Sequence, residues 1–276
     1  MRRNNEDRIM KGHKPTPTED APAMPNPLDF VTPTQFVELP SKGRYPQGHP
    51  LHGQDSIEIK YMTAKDEDIL TNRSLLKKGL AIDRLIRNVI KDKTIDAGSL
   101  YMGDRNAILI YARASAYGND YTTKVNCPSC GEKSSLSFDL FEHEVYHGDN
   151  IEGLDVEDLQ DGTFKVILPL SKVEVVIRPL NGRDELAMVS GKKDPTENLM
   201  TNQMKTYVMS FNGYSDQNLI NQVVDAMTAV DSKVLRDAFR LISPDVKMET
   251  NFECPSCGNE EVIRVPLGAD FFWPER

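Results

Sequence analysis

The sequence predicts an α+β fold in which one unit is used twice: a β-hairpin, then helices, then a cysteine knuckle between two short strands. Three observations predict it. The pentapeptides Cys127-Pro128-Ser129-Cys130-Gly131 and Cys254-Pro255-Ser256-Cys257-Gly258 are identical. A series of further matches runs through both halves in the same order. Alternating and helical apolar periods also succeed one another in the same order around each pentapeptide.

Residues 1–35 hold Pro15, Pro17, Pro22, Pro25, Pro27 and Pro33 among charged residues and threonines, with almost no apolar pattern. Such a segment buries too little surface to offset its ordering entropy, so an extended or disordered arm is expected. Either it stays loose or it laces along a partner, with Leu28, Phe30 and Phe36 as anchors.

The first unit is placed at 36–147, a linker at 148–163 and the second unit at 164–276. Val37-Glu38-Leu39-Pro40-Ser41-Lys42 matches Val166-Ile167-Leu168-Pro169 followed, after one extra residue, by Ser171-Lys172. The stretch from Ile59 to Glu67 matches the stretch from Ile177 to Glu185. Strands at 165–168 and 173–177 around Pro169 give a hairpin signal. Helical periodicity follows from Leu75 through Ile90 in the first unit. In the second it runs through Leu199, Met204, Tyr207, Val208 and Phe211, then through Leu219, Ile220, Val223, Val224 and Met227. Asp104 and Asp231 each open another apolar stripe and precede their knuckles by the same 23 positions. Those helices should stop at Gly118 and ahead of Pro244. An alternating strand then follows each knuckle, Leu136-Phe138-Leu140 and Ile263-Val265-Leu267.

Each knuckle is a C-x₂-C turn with a glycine after the second thiol, and together they hold all four cysteines. Two such turns make the four-sulfur tetrahedron of a structural zinc site, so Cys127, Cys130, Cys254 and Cys257 are the candidate ligands. The knuckles stand 127 positions apart (127 to 254). A shared ion therefore closes a loop containing most of the chain and packs the two units about a pseudo-twofold axis on one zinc ribbon. Lys124, Lys133 and nearby backbone N–H groups would offset part of the thiolate charge. Four cysteines leave no open coordination position, which predicts a structural Zn²⁺ rather than a catalytic one. An iron–sulfur cluster and unmetallated thiols are the alternatives.

The chain has 276 residues, 39% of them hydrophobic, enough for a core that needs no staples. Its 33 basic and 42 acidic residues give a formal charge of −9, which offers no global attraction to nucleic acid or anionic membrane. No apolar run approaches the ~20 residues of a membrane span. The start of the chain lacks the apolar segment of a secretory signal. Two cysteine knuckles suit a reducing compartment better than a disulfide framework does.

One catalytic-looking motif stands out. His143-Glu144-Val145-Tyr146-His147 fits H-E-x-x-H, in which two histidines on consecutive helical turns bind zinc and the glutamate activates water. Gly148-Asp149-Asn150 follows at once and an alternating strand precedes, so the required helix is not expected. A third ligand would have to be Glu152 or Glu157, in a glycine-rich acidic loop. No Walker loop, dinucleotide fingerprint or nucleophile elbow is present, and no small-molecule substrate is indicated. His13, His49 and His52 read as solvated loop residues. Asp66-Glu67-Asp68 and Asp184-Glu185 read as helix-start acids favoured by the macrodipole. Around the knuckles, Lys124, Lys133 and Arg264 mix with Glu132, Glu253, Glu260 and Glu261, a poor nucleic-acid face. A non-enzymatic protein is expected.

The stretch from Phe36 to Pro46, with Leu39-Pro40-Ser41-Lys42-Gly43, and the phrase Met62-Thr63-Ala64-Lys65-Asp66-Glu67 resemble the baseplate hub proteins of T-even-type contractile-tailed phages. The similarity continues through Leu76-Lys77-Lys78-Gly79-Leu80-Ala81-Ile82-Asp83 and Leu85-Ile86-Arg87-Asn88, and covers roughly residues 36 to 140. The resemblance implies a structural or assembly role in the baseplate, at the hub or where the hub meets the wedges. Its partners would be other baseplate and hub proteins, and its place the virion tail after synthesis in the host cytoplasm. Ser41, Lys42, Gly43, Arg44 and Tyr45 would form either a contact loop or a plain bend. The other readings are an assembly chaperone that leaves the virion, a zinc-ribbon regulator that binds nucleic acid, and the H-E-x-x-H peptidase.

Overall fold

The computed structural model describes residues 32–151, 153–190, 199–265, 267 and 269–272. The proline-rich arm expected at the start lies outside the described residues as far as residue 31.

Strands β1 (Thr34–Glu38) and β2 (Ser56–Lys60) pair antiparallel, with Phe36 opposite Glu58. Alternation sends Val37, Ile57 and Ile59 into the core and leaves Phe36 outside. Helix α1 (Ala64–Thr71) follows, with the Asp66 carboxylate turned back to accept the Thr63 N–H at 2.8 Å. Next come α2 (Arg73–Lys77), α3 (Ala81–Val89) and α4 (Met102–Tyr117). Gly118 caps α4 at φ 84, where the glycine was expected to stop it. Strands β3 (Asp120–Asn126) and β4 (Lys133–Asp139) form a hairpin, and β5 (Glu144–Tyr146) follows.

The second half opens with β6 (Val156–Asp158), β7 (Phe164–Ile167) and β8 (Glu174–Ile177). Then come α5 (Gly182–Ser190), α6 (Leu199–Tyr207), β9 (Val208–Phe211), α7 (Gln217–Ala226) and α8 (Ala229–Ile242). Strand β10 (Asp245–Lys247) precedes the hairpin β11 (Glu249–Glu253) and β12 (Glu260–Arg264). Strands β6 to β9 make one antiparallel sheet in sequence order, and β5 pairs with β10 across the two halves. The class is α+β, with helices set against several small antiparallel sheets. Among the described residues, no helix is long and apolar enough to cross a membrane.

Two periodicity readings change. The helical stripe from Leu75 to Ile90 is two helices, because Gly79 takes φ 68 between them. Val208 to Phe211 continues the stripe of α6 in sequence but leaves it as strand β9. There Ser210 and Phe211 pair with Val176 and Val175 of β8, bonds unavailable to a helix. In the Ser41 to Tyr45 loop, Ser41 and Tyr45 are buried while Lys42 faces outward.

That loop is held by Asp104, the third residue of α4. Its carboxylate accepts the Ser41 N–H at 2.9 Å, the Ser41 hydroxyl at 2.7 Å and the Tyr45 hydroxyl at 2.5 Å. Asp231, the third residue of α8, likewise accepts the N–H groups of Leu170 at 2.9 Å and Ser171 at 3.1 Å. Lys42 and Lys172, one residue past each serine, both take left-handed φ, at 49° and 58°. His49 was expected to be solvated. It instead stacks on Tyr45 at 4.2 Å and meets the Ser99 hydroxyl at 2.8 Å.

Two apolar cores result. The first gathers Val37, Ile59, Leu85, Ile86, Ile108 and Ile110, and it also takes in Val246, Met248, Val265, Phe271 and Phe272 from the end of the chain. The second gathers Phe164, Val166, Val175, Ile177, Tyr207, Ile220, Leu235 and Ile242. The halves grip each other reciprocally. Arg113 of α4 donates to the Phe271 carbonyl at 3.1 Å, while Tyr146 of β5 donates to the Leu241 carbonyl of α8 at 2.7 Å.

Candidate metal centre

Each knuckle is built by its own hairpin. At the end of β3, the Cys127 N–H donates to the Glu132 carbonyl at 2.8 Å, and the Gly131 N–H returns to the Cys127 carbonyl at 2.8 Å. At the end of β11, Cys254 donates to Asn259 at 2.9 Å and Gly258 to Cys254 at 2.9 Å. Gly131 and Gly258 take φ 75 and 67, the left-handed backbone that lets the chain fold back under two thiols.

The structure brings all four predicted cysteines together. Cys127 Sγ lies 3.7 Å from Cys257 Sγ, and Cys130 Sγ lies 3.7 Å from Cys254 Sγ. All four sulfurs fall within 4.8 Å of one another. A metal at about 2.3 Å from four thiolates needs sulfur–sulfur edges of about 3.8 Å, so the cage has the size of a tetrahedral zinc or iron site. Cys127 and Cys254 are buried, and Cys130 and Cys257 face outward. Beneath them Val125, Leu136, Phe252 and Ile263 form a small apolar floor, two residues from each hairpin. The Cys130 N–H aimed at the Cys127 sulfur, helped by that of Ser129, outweighs burial and lowers the Cys127 thiol to about 7. At Cys130 the Glu132 N–H is outweighed by the Cys257, Cys127 and Cys254 thiols, which push it up to about 12. The thiols share charge as a cluster, with the first proton lost at Cys127.

The H-E-x-x-H residues do not make a site. They lie on and beside strand β5, where successive side chains point to opposite faces. Glu144 meets the Lys247 ammonium at 2.8 Å. His143 Nδ1 sits 2.7 Å from the Leu140 carbonyl, and His147 Nδ1 sits 3.0 Å from the Pro40 carbonyl. Glu157 pairs with Lys165 on the neighbouring strand, and Glu152 lies outside the described residues. Among the described residues, the four cysteines are the cluster whose ligand atoms converge.

Sequence reasoning missed a buried polar joint between α4 and α5. Arg105 is buried, donates to the Ala97 carbonyl at 2.8 Å, and meets Asp83 at 3.4 Å and Glu185 at 3.3 Å. An arginine inside the apolar stripe of α4 was the available signal, because a cation there must find partners.

A protein-family model described as T4 bacteriophage base plate protein matches residues 32–273. No curated protein and no solved structure matches the chain. The matched span includes both knuckles, the hairpins that carry them and every described helix, so the chain belongs to the family of T4-type phage baseplate proteins.

Proposed function

We propose that the chain is a non-enzymatic structural part of the contractile-tail baseplate, at the hub or the hub–wedge junction, in which one structural Zn²⁺ clasps a twinned body. Cys127, Cys130, Cys254 and Cys257 hold the ion. The observation that carries this reading is a cluster of four cysteine sulfurs, drawn from hairpins 127 positions apart, inside a baseplate family. Its four corners are all cysteine, which leaves no position for substrate or water.

Several correspondences support the twinning. Helix α1 begins 118 positions before α5 (64 to 182), α3 ends 118 before α6 (89 to 207), and α4 begins 127 before α8 (102 to 229). Asn181 N–H donates to the Asp184 carboxylate at 2.9 Å, as Thr63 does to Asp66. Asp104 and Asp231 hold equivalent loops, and Ile90 bridges Ile59 where Val208 pairs with Ile177. A rigid body of this kind suits assembly: it offers surfaces rather than a reactive centre. The N-terminal arm laces onto a neighbouring subunit.

Mass spectrometry of purified tails, with elemental analysis of the freshly reduced chain, tests both halves of the reading. The chain should occur in fixed copy number in tails and carry one zinc per molecule. Absence from tails would favour an assembly chaperone. An absence of metal in the reduced protein would remove the clasp.

A further inference from the structure

A cleft of about 690 Å³ opens where the start of α4, the face shared by α6 and α8, and β10 meet. Tyr207 lines it with a ring that is 1% exposed, and its hydroxyl has no hydrogen-bond partner. The Phe239 ring, stacked at 4.1 Å, holds that hydroxyl in place. Arg236 stands beside it. Nη1 donates to the Ser232 hydroxyl at 2.6 Å, and among the described residues no carboxylate pairs with it. A buried hydroxyl without a partner is costly, and a native structure seldom leaves one without reason.

The twin half shows what this place looks like when it is only core. At the 118- and 127-position offsets, Gln203, Tyr207 and Arg236 correspond to Leu85, Val89 and Leu109. Those three are 0%, 1% and 2% exposed in the first core. The second half has replaced a closed aliphatic contact between two helices with an arginine, a tyrosine and a glutamine around an opening.

We propose that this cleft docks an extended segment of another baseplate protein, and that an aspartate or glutamate of that segment meets Arg236 and the Tyr207 hydroxyl. The other cations of the cleft are already matched: Arg264 to Asp245, Lys247 to Glu144, and Arg240 to Asp237 at 3.5 Å. One unmatched guanidinium calls for one carboxylate, not for a polyphosphate or a nucleic-acid backbone. The apolar flank of Pro179, Leu180 and Phe239 suits the rest of a peptide. The proposal rests on the structural-part reading above.

The test places a photo-crosslinking phenylalanine analogue at exposed Gln203 in the full chain, assembles tails, and sequences the crosslinked peptides. The expected product joins Gln203 to a single segment of a different tail protein, with an acidic residue within a few positions. Arg236→Leu, which restores the residue of the twin half, should lower the yield by about tenfold while the free chain melts no earlier. Tyr207→Phe removes only an unpaired hydroxyl; it too should lower the yield without loss of thermal stability. Full yield in both variants would overturn the proposal. So would a product with nucleic acid, with residues 1–31 of the same chain or with a second copy, or no product from tails that contain the chain. A chain missing from tails, visible in the same spectra, would instead overturn the structural-part reading on which the proposal stands.

Discussion

Asp104 and Asp231 hold the same place in their helices, yet their surroundings move their carboxyls in opposite directions. Burial raises Asp104 despite the donors of Ser41 and Tyr45. At Asp231 burial also pushes upward, but the N–H of Leu170 and the donors of Ser171 outweigh it and leave the carboxyl below its usual range. The lowered folded value means that Asp231 stabilises the protein above the usual carboxylate pKa of about 4, and that this contribution is lost as pH falls through the folded value. Asp104 has the opposite sign: its contribution is complete in acid and declines as pH rises through its raised folded value. Asp231→Asn should therefore cost on the order of 1.5–3 kcal/mol at neutral pH, a cost that shrinks toward pH 3. Asp104→Asn should cost most in acid and less as pH rises. Urea unfolding of both variants across pH 3–8 reads the two slopes, and parallel slopes would refute the assignment.

At the scale of elements, the joint between α4 and β10 depends on a glycine. A Cβ on Gly103 would lie 2.6 Å from the Pro244 carbonyl carbon and 2.8 Å from Asp245 Cα, both of them backbone that cannot swing away. Gly103→Ala should thus destabilise the chain by about 1–3 kcal/mol or more, whereas Gly213→Ala, with open space and only a left-handed φ to strain, should cost about 1 kcal/mol. Equal losses in thermal melts would show that the helix does not press on that strand as described. Much of the element order was legible because its signals are local. The glycine after each knuckle, the cap at Gly118, the aspartates one turn into α1 and α5, and the alternation of β4 each declare themselves within a few residues, whereas β12 ends at Arg264, short of the expected Val265 and Leu267. What stayed hidden depends on distant partners. Val208-Met209-Ser210-Phe211 fits a helical stripe as well as a strand, and only the edge of β8 decides it. His143 to His147 spells a catalytic motif, and only β10 makes it a strand. The cysteine cluster was legible because the four thiols name one another by identity, whereas Tyr207 and Arg236 look like ordinary helix residues until the fold places an unpartnered hydroxyl and a guanidinium in one cleft.

At the scale of the whole molecule, the proposed metal would share with the first core and the β5–β10 pairing the work of holding the halves together. Zinc binding contributes on the order of 10 kcal/mol in small modules that have little else. Here Val246, Met248, Val265, Phe271 and Phe272 from the end of the chain lie in the first core, and β5 from the first half pairs with β10. Removing the proposed ion would leave those contacts in place, while the floor under the cysteines gathers Val125, Leu136, Phe252 and Ile263. Stripping the protein with a chelator under reducing conditions should accordingly speed amide exchange in β3, β4, β11 and β12 and leave α4 and α8 protected. Cys257→Ser should reproduce that local pattern and reduce bound zinc from one to none. If chelation instead releases α4 and α8 together with the hairpins, the ion is the main bond between the halves and the shared core is not. Exchange unchanged in the hairpins would mean that the thiols meet without a metal, held by the apolar floor alone.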